Sequence, residues 1–178
     1  MSESILYIAR HGKTDANIPG LTRRPHSNVP INSKGREEAE KIGAYFKSKE
    51  ITPIIYTATE TRCKQTAKII AQVTGASLFV DPGLDSWDFG SIELEKDLKP
   101  YQKNWDLIPP GGIPYKTFVI TFRKTLANYW LRREPILLIT HSTNIFYLDW
   151  IINDLPEIPV SGGVAPGELL ELKTKLKD

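Results

Sequence analysis

Cysteine is nearly absent: Cys63 is the only one in 178 residues. It cannot close an internal disulfide, and a lone thiol suits a reducing compartment. Long apolar runs are missing too. No stretch approaches the ~20 residues that a membrane-spanning helix needs, and the first residues lack the basic segment and apolar core of a secretory signal. A cytoplasmic setting is expected. Charge of one sign is not in excess, with 23 Lys and Arg against 21 Asp and Glu and a formal net charge of +2. That balance asks for neither nucleic acid nor an anionic membrane as partner. With no internal repeat, low-complexity tract or linker, residues 1–178 are expected to form one domain. Missing motifs exclude further chemistries. There is no G-x-S-x-G elbow for a serine hydrolase and no G-x-G-x-x-G for a dinucleotide. Gly12-Lys13-Thr14 looks like the tail of a phosphate-binding loop, but Tyr7 stands where its first glycine belongs. Histidine is scarce as well, three in all, and two of the three carry the argument.

The first lies in Ile5-Leu6-Tyr7-Ile8-Ala9-Arg10-His11-Gly12. A short apolar run without alternation reads as a strand buried on both faces, as inside parallel sheets. The second lies in Ile136-Leu137-Leu138-Ile139-Thr140-His141-Ser142, the same pattern again. Between them, Ile54-Ile55-Tyr56 makes another short strand, and Arg62 falls in the first turn of the helix that follows. Ligands of open α/β sheets bind beyond the carboxyl ends of the strands. If these strands are parallel, His11 and His141 emerge at one edge, with Arg10 and Arg62 beside them. The same residues also admit plainer readings, His11 as a polar residue that ends a strand and Arg62 as half of a surface pair.

Other segments are read in outline. Residues 12–30 form a long loop of functional character. Asn32 or Ser33 caps a helix whose Ala39, Ile42, Tyr45 and Phe46 face the sheet, and Gly35 within it is a mild cost. Cys63, Ala67, Ile70 and Val73 form the inner stripe of the next helix, with Gly75 as its terminal cap. Ser77 to Val80 is a third strand. Residues 81–114 read as a cover over the site, inserted in the sheet topology, with a short helix between Glu93 and Lys103. Tyr115 to Arg133 is an amphipathic helix with Phe118, Phe122, Leu126, Tyr129 and Trp130 on its buried face. A helix runs from Thr143 or Asn144 through Ile152, Gly162-Gly163 and Pro166-Gly167 mark a loop, and Glu168 to Leu172 close the sheet as an edge strand.

Two imidazoles between two guanidiniums make a cationic pocket that contains a nucleophile. A metal is the first competitor for it, since imidazole is a common ligand. Neighbouring arginines repel a divalent cation, and no third carboxylate or thiol has evident ligand spacing, so no metal is expected. A tetrahedral anion is the better guest. Phosphoryl transfer needs charge neutralisation and alignment, which arginines supply bidentately. A neutral histidine can attack phosphorus and split one displacement into two. A carboxylic acid is still required to protonate the leaving alcohol and then to take a proton from water.

At this point the sequence resembles a known family. Arg10-His11-Gly12-Lys13-Thr14-x-x-Asn17 is similar to the R-H-G-x-T-x-x-N signature of the histidine phosphatase superfamily, the phosphoglycerate-mutase-like fold. Thr59-Glu60-Thr61-Arg62-Cys63-Lys64-Gln65-Thr66-Ala67 resembles its second motif, and Ile139-Thr140-His141-Ser142 its third, in the right order. The resemblance implies a three-layer α/β/α fold with a mostly parallel sheet. It implies His11 as the phosphorylated nucleophile, with Arg10, Arg62 and His141 on the phosphoryl group. Thr14, Asn17 and Ser142 would contact it, and neither metal nor cofactor would be needed.

Two departures matter. The family usually carries its acid in a stretch like L-x-E-x-x-x-G, and Leu84-Asp85-Ser86-Trp87-Asp88-Phe89-Gly90 has Ser86 at that position. Asp85 and Asp88 are the candidates to replace it, either of which can equally be a turn former. Gly111-Gly112-Ile113-Pro114 stands where relatives have a polar start to the next helix. The expected activity is metal-independent hydrolysis of a small phosphorylated metabolite, in the phosphatase branch. The alternatives are a phosphate-binding or interaction module with impaired catalysis, a phosphoglycerate-mutase-type phosphotransferase, and hydrolysis of phosphohistidine or phosphoprotein. Arg23, Arg24 and His26 are candidates to hold a second acidic group of the substrate, or are simply solvated.

Overall fold

The computed structural model describes residues 5–17, 28–130, 132–146, 148 and 164–172. Arg23, Arg24 and His26 lie outside them, as do residues 147 and 149–152 of the helix expected to reach Ile152 and the glycines at 162–163. Five strands build the sheet: β1 (Leu6–Arg10), β2 (Ile54–Thr57), β3 (Leu78–Val80), β4 (Ile136–Thr140) and β5 (Leu169–Leu172). Their order is β3-β2-β4-β1-β5. The first four are parallel, and β5 runs antiparallel to β1. The helices are α1 (Ser33–Ser48), α2 (Thr61–Thr74), α3 (Glu95–Lys103), α4 (Tyr115–Trp130) and α5 (Ser142–Phe146).

Registered residues of parallel strands share a face, and this sorts the layers. Tyr7, Leu137 and Ile55 are in register, and the Tyr7 ring meets Phe46 of α1 at 4.8 Å. Ile8, Leu138 and Tyr56 are in register on the other face, where Tyr56 meets Tyr129 of α4 at 4.5 Å. Helix α2 packs along α1. The fold is therefore three layers, α/β/α, as expected. Strands covered on both sides must be apolar throughout, which is why β1 and β4 show no alternation.

Side chains at the helix ends do the local work. Asn32 caps α1 by accepting from the Gly35 backbone N–H at 3.0 Å, and Gly75 closes α2 with φ of 74°. The apolar face of α4 is aromatic and buried, with Phe118 stacked on Phe122 at 6.2 Å. Between β3 and α4, the chain makes a 3₁₀ turn at Pro82–Leu84 and then α3. Trp87 anchors this segment, fully buried and donating from Nε1 to the Ile113 carbonyl at 2.9 Å.

Gly35 has a purpose that helix propensity does not reveal. A Cβ there would lie 2.3 Å from the Lys13 carbonyl oxygen, and one on Gly12 would lie 2.4 Å from the Gly35 carbonyl. The first turn of α1 thus presses backbone against backbone on the loop that follows β1. Propensity alone favours Gly35→Ala by about 1 kcal/mol. Overpacking against backbone that cannot move aside costs about 1–3 kcal/mol more than a fitted site, so contact should win. Urea unfolding of Gly35→Ala should show a net loss of stability, and a gain would contradict this account of the glycine pair.

Candidate active site

Parallel register brings the carboxyl ends of β1, β2 and β4 to one edge. Arg10 pairs with Thr140, and Thr57 with Ile139. The residues just beyond, His11, the segment 58–62 and His141, therefore meet there. Four sequence candidates, Arg10, His11, Arg62 and His141, come together at this edge. The two imidazoles lie 5.3 Å apart between ring centroids, and both are buried.

His11 is held by its backbone and its ring. Its N–H donates to the Thr140 carbonyl at 2.9 Å, and Nδ1 lies 2.8 Å from the Gly12 carbonyl. A carbonyl can only accept, so Nδ1 carries the hydrogen and Nε2 keeps its lone pair. Nε2 has no hydrogen-bond partner among the described residues. Burial pushes the imidazole pKa well below its usual value, and His141 and Arg62 push it further. The ring is neutral, as a nucleophile must be.

The loop after His11 is stitched to the helices. The Gly12 N–H donates to Thr66 Oγ1 of α2 at 2.9 Å, and the Lys13 N–H to Glu38 of α1 at 2.8 Å. Asn17 Oδ1 accepts from the Thr14 N–H at 2.8 Å and from its hydroxyl at 3.1 Å. Thr14 and Asn17 thus brace one another in a turn beside the nucleophile. Ser142 begins α5, directly after His141.

Arg10 donates from Nη1 to the Val164 carbonyl at 2.5 Å. Its buried Nε has no hydrogen-bond partner among the described residues. Burial, and then the like charge of Arg62, lower its pKa. Two guanidiniums that repel one another in a buried pocket are a setting for an anion.

Sequence reasoning missed Glu60. It is the N-cap residue of α2, just beyond β2, and its side chain is fully buried. Oε2 lies 2.8 Å from His141 Nε2, and Oε1 lies 3.8 Å from Arg62 Nη2. Burial raises its carboxyl pKa, but the hydrogen bond and charge of His141, then Arg62, outweigh this and bring it to about 2. The ionised carboxylate can only accept, so His141 Nε2 donates. Its Nδ1 then accepts from Arg62 Nη2 at 3.3 Å. Glu60 was visible in the second motif, two residues before Arg62. A carboxylate immediately past a buried strand, at the histidines' edge, was the signal to follow.

Cys63, also unassigned in sequence beyond its place on a helix stripe, lies with Sγ 3.5 Å from His141 Nε2 and 3.8 Å from the Thr140 carbonyl. No ligand spacing along the chain marks them, yet a carboxylate and a thiol adjoin His141. Glu60, Cys63 and His141 each offer a ligand atom, all within 4.8 Å of one another. Separation along the chain hid this cluster, since β4 brings His141 in from far away. Burial pushes the Cys63 thiol well up, so it stays protonated, and Arg62 adjoins the same imidazole. Both oppose a divalent cation.

The candidate acids go to different places. Asp85 follows the 3₁₀ turn and accepts from the Thr59 N–H at 2.7 Å and the Thr59 hydroxyl at 2.8 Å. Its backbone carbonyl accepts from Asn144 Nδ2 at 3.1 Å. It therefore joins the segment between β3 and α4 to the β2–α2 junction at the site's edge. Asp88 accepts from the Gly90 N–H at 3.0 Å, and its carbonyl accepts from the Ile113 N–H at 2.9 Å. Those are turn contacts, with no member of the histidine–arginine cluster among them.

A three-layer α/β fold with two histidines and two arginines at its strand ends defines a class built to grip a tetrahedral anion. The profile of the histidine phosphatase superfamily (branch 1) matches residues 6–157. The chain belongs to that superfamily. It is 32% identical over 116 residues to the "Probable phosphoglycerate mutase GpmB" of Proteus mirabilis (strain HI4320), which covers 61% of this chain and 53% of that protein. The match thus spans about half the length of that relative. The 2,3-bisphosphoglycerate-dependent phosphoglycerate mutase of Methylobacterium sp. (strain 4-46) is 27% identical over 180 residues, covering 90% of this chain and 86% of its own. Among solved structures, a mycobacterial glucosyl-3-phosphoglycerate phosphatase in complex with VO3 superposes with a TM-score of 0.77 at 20% identity, over 94% of this chain and 92% of that one. The alpha-ribazole phosphatase of Shigella flexneri gives 0.74 at 20% identity, over 94% and 89%. Identities that low speak for the shared fold. No helix among the described residues is long and apolar enough to cross a membrane.

Proposed function

We propose that this chain is a metal-independent phosphomonoesterase that hydrolyses a small phosphorylated metabolite through a phosphohistidine on His11. The observation that carries the reading is the 2.8 Å approach of His11 Nδ1 to the Gly12 carbonyl. The Gly12 carbonyl takes the Nδ1 hydrogen and leaves Nε2 as a free, neutral lone pair beside the buried Arg62 and the half-buried Arg10. Nε2 attacks phosphorus, the P–O bond to the alcohol breaks, and water then attacks the P–N bond. Arg10 and Arg62 neutralise the equatorial oxygens in both steps. His141, 5.3 Å from His11 between ring centroids, adds a hydrogen bond to the bound phosphate. The lone thiol and balanced charge support a cytoplasmic enzyme with neither nucleic acid nor membrane as partner.

The test is turnover of 4-nitrophenyl phosphate in excess chelator, with acid quenching to trap the intermediate. Undiminished rate and an acid-labile, base-stable phosphate on His11 are expected. Loss of activity with chelator, or phosphate on another residue, would sink the mechanism. The names of the matched relatives favour a second reading, transfer between positions of phosphoglycerate. Release of inorganic phosphate at the rate of substrate loss separates hydrolysis from that transfer. Ser86 in the acid's usual place supports a third, a binding module without turnover, which the same assay excludes if phosphate is released.

A further inference from the structure

We propose that Glu60 and His141 form a proton relay that stands in for the carboxylic acid missing at position 86, with His141 as general acid and base and Glu60 as its positioning residue. This rests on the phosphomonoesterase reading above. The imidazole of His141 has two distinct edges. Nε2 donates to Glu60 at 2.8 Å, and the Glu60 side chain, with no exposed surface, sits out of substrate's reach. Nδ1 faces Arg62 at 3.3 Å. The nitrogen held by the carboxylate is therefore the rear one, and the nitrogen beside the guanidinium is on the phosphoryl side. A carboxylate behind an imidazole fixes its tautomer and stabilises the imidazolium that forms in front.

Every charged or titratable group around the ring has a part. Burial disfavours a second proton, as do Arg62 beyond β2 and the coupling to His11 of β1, whose own proton Arg10 opposes. Glu60 and Asp85 favour it, and the Cys63 thiol, being protonated, adds no charge. In the free site Arg62 donates to Nδ1, which keeps His141 neutral. A phosphoryl dianion offers Arg62 a better acceptor and adds negative charge in front of the ring, so Nδ1 takes up a proton on binding. As the P–O bond breaks, that Nδ1 proton passes to the leaving alkoxide and His141 becomes neutral. When water attacks the phosphohistidine, one of its protons returns to Nδ1 and the P–N bond breaks, so that His11 is free and neutral again, and His141 gives up that proton to solvent as phosphate leaves. Protons balance over the cycle, and Glu60 stays ionised throughout.

The experiment compares the parent with Glu60→Gln, Glu60→Asp and Asp85→Asn on two esters. Glycerol phosphate releases glycerol as a basic alkoxide that needs a proton, whereas 4-nitrophenyl phosphate releases 4-nitrophenolate without one. In Glu60→Gln, kcat/KM, which reports phosphoryl transfer to His11 and not the later hydrolysis, should fall about 100-fold for glycerol phosphate and about threefold or less for 4-nitrophenyl phosphate. Glu60→Asp, which keeps the charge, should recover part of the difference. Equal losses of kcat/KM on both esters, or a leaving-group dependence that appears in Asp85→Asn instead, would overturn the relay. A readout without turnover is the imidazole nitrogen spectrum of the protein saturated with inorganic phosphate. His141 should be doubly protonated in the parent at neutral pH and singly protonated in Glu60→Gln. A neutral His141 in the parent complex overturns the relay even if the variants fail to fold. A parent that releases no phosphate from either ester refutes the phosphomonoesterase reading separately, and the spectrum still decides the relay.

Discussion

His11→Ala should lose about 10,000-fold or more in kcat on any phosphomonoester, because the bond-forming atom itself is removed. The expectation is specific about what survives. Arg10, Arg62 and His141 remain at the strand ends, so inorganic phosphate should bind within a few-fold of its parent affinity, as titration calorimetry would measure. The His11 backbone N–H bonds to Thr140 in either protein, so β1 and β4 stay joined. A simple structural collapse would abolish phosphate binding and turnover together. Loss of turnover alone assigns His11 to the chemistry. Residual kcat within tenfold of the parent would remove His11 from the nucleophile's role.

Arg62→Ala has the second largest expected effect, and it should act on rate and stability at once. Arg62 is buried, donates to His141 Nδ1 and lies 3.8 Å from Glu60 Oε1. Removing a donor aimed at developing charge should cost about 1,000-fold in kcat/KM, or about 4 kcal/mol. Removing one partner from a buried charge also leaves the other uncompensated, typically at a cost of about 3–5 kcal/mol. The pH dependence follows from Glu60. Its pKa is lowered from 4.5 to about 2 in the folded chain. A depressed carboxyl pKa contributes stability above the unfolded value, and that contribution is lost as pH falls through the folded value. Arg62 supplies part of the depression. The destabilisation of Arg62→Ala should therefore be fully present above about pH 4.5 and shrink towards pH 2, as acid titrations of the unfolding midpoint would reveal. A pH-independent deficit would mean that Arg62 stabilises by contact rather than through Glu60. Arg62→Lys keeps charge without the planar fork, so it should recover stability more than rate.

The motifs were readable because each couples a local structural signal to chemistry. Short runs such as Leu6–Arg10 and Ile136–Thr140 are apolar on both faces only if both faces are covered. That single inference implies a parallel sheet, and hence strand ends gathered at one edge. Helix faces were legible for a similar reason, since the 3–4 spacing of Phe118, Phe122 and Tyr129 has one buried solution. Gly35 shows the limit of local reasoning. Propensity rates it as a flaw in α1, and only the approach of the Lys13 carbonyl explains it. The two aspartates show it again. Spacing treats Asp85 and Asp88 alike, yet one reaches Thr59 and the other turns back on Gly90.

By itself, then, the sequence determined the layered α/β class, the strand ends that carry His11 and His141, and the arginines beside them. Each depends on periodicity or on residues close along the chain. Only the tertiary structure decided the protonation pattern of the site. Glu60 and His141 lie 81 residues apart, and neither one's spacing reveals the other. Register between β2 and β4 brings them together, and burial makes the contact count, because a carboxylate without water must take its hydrogen bonds from what the fold supplies.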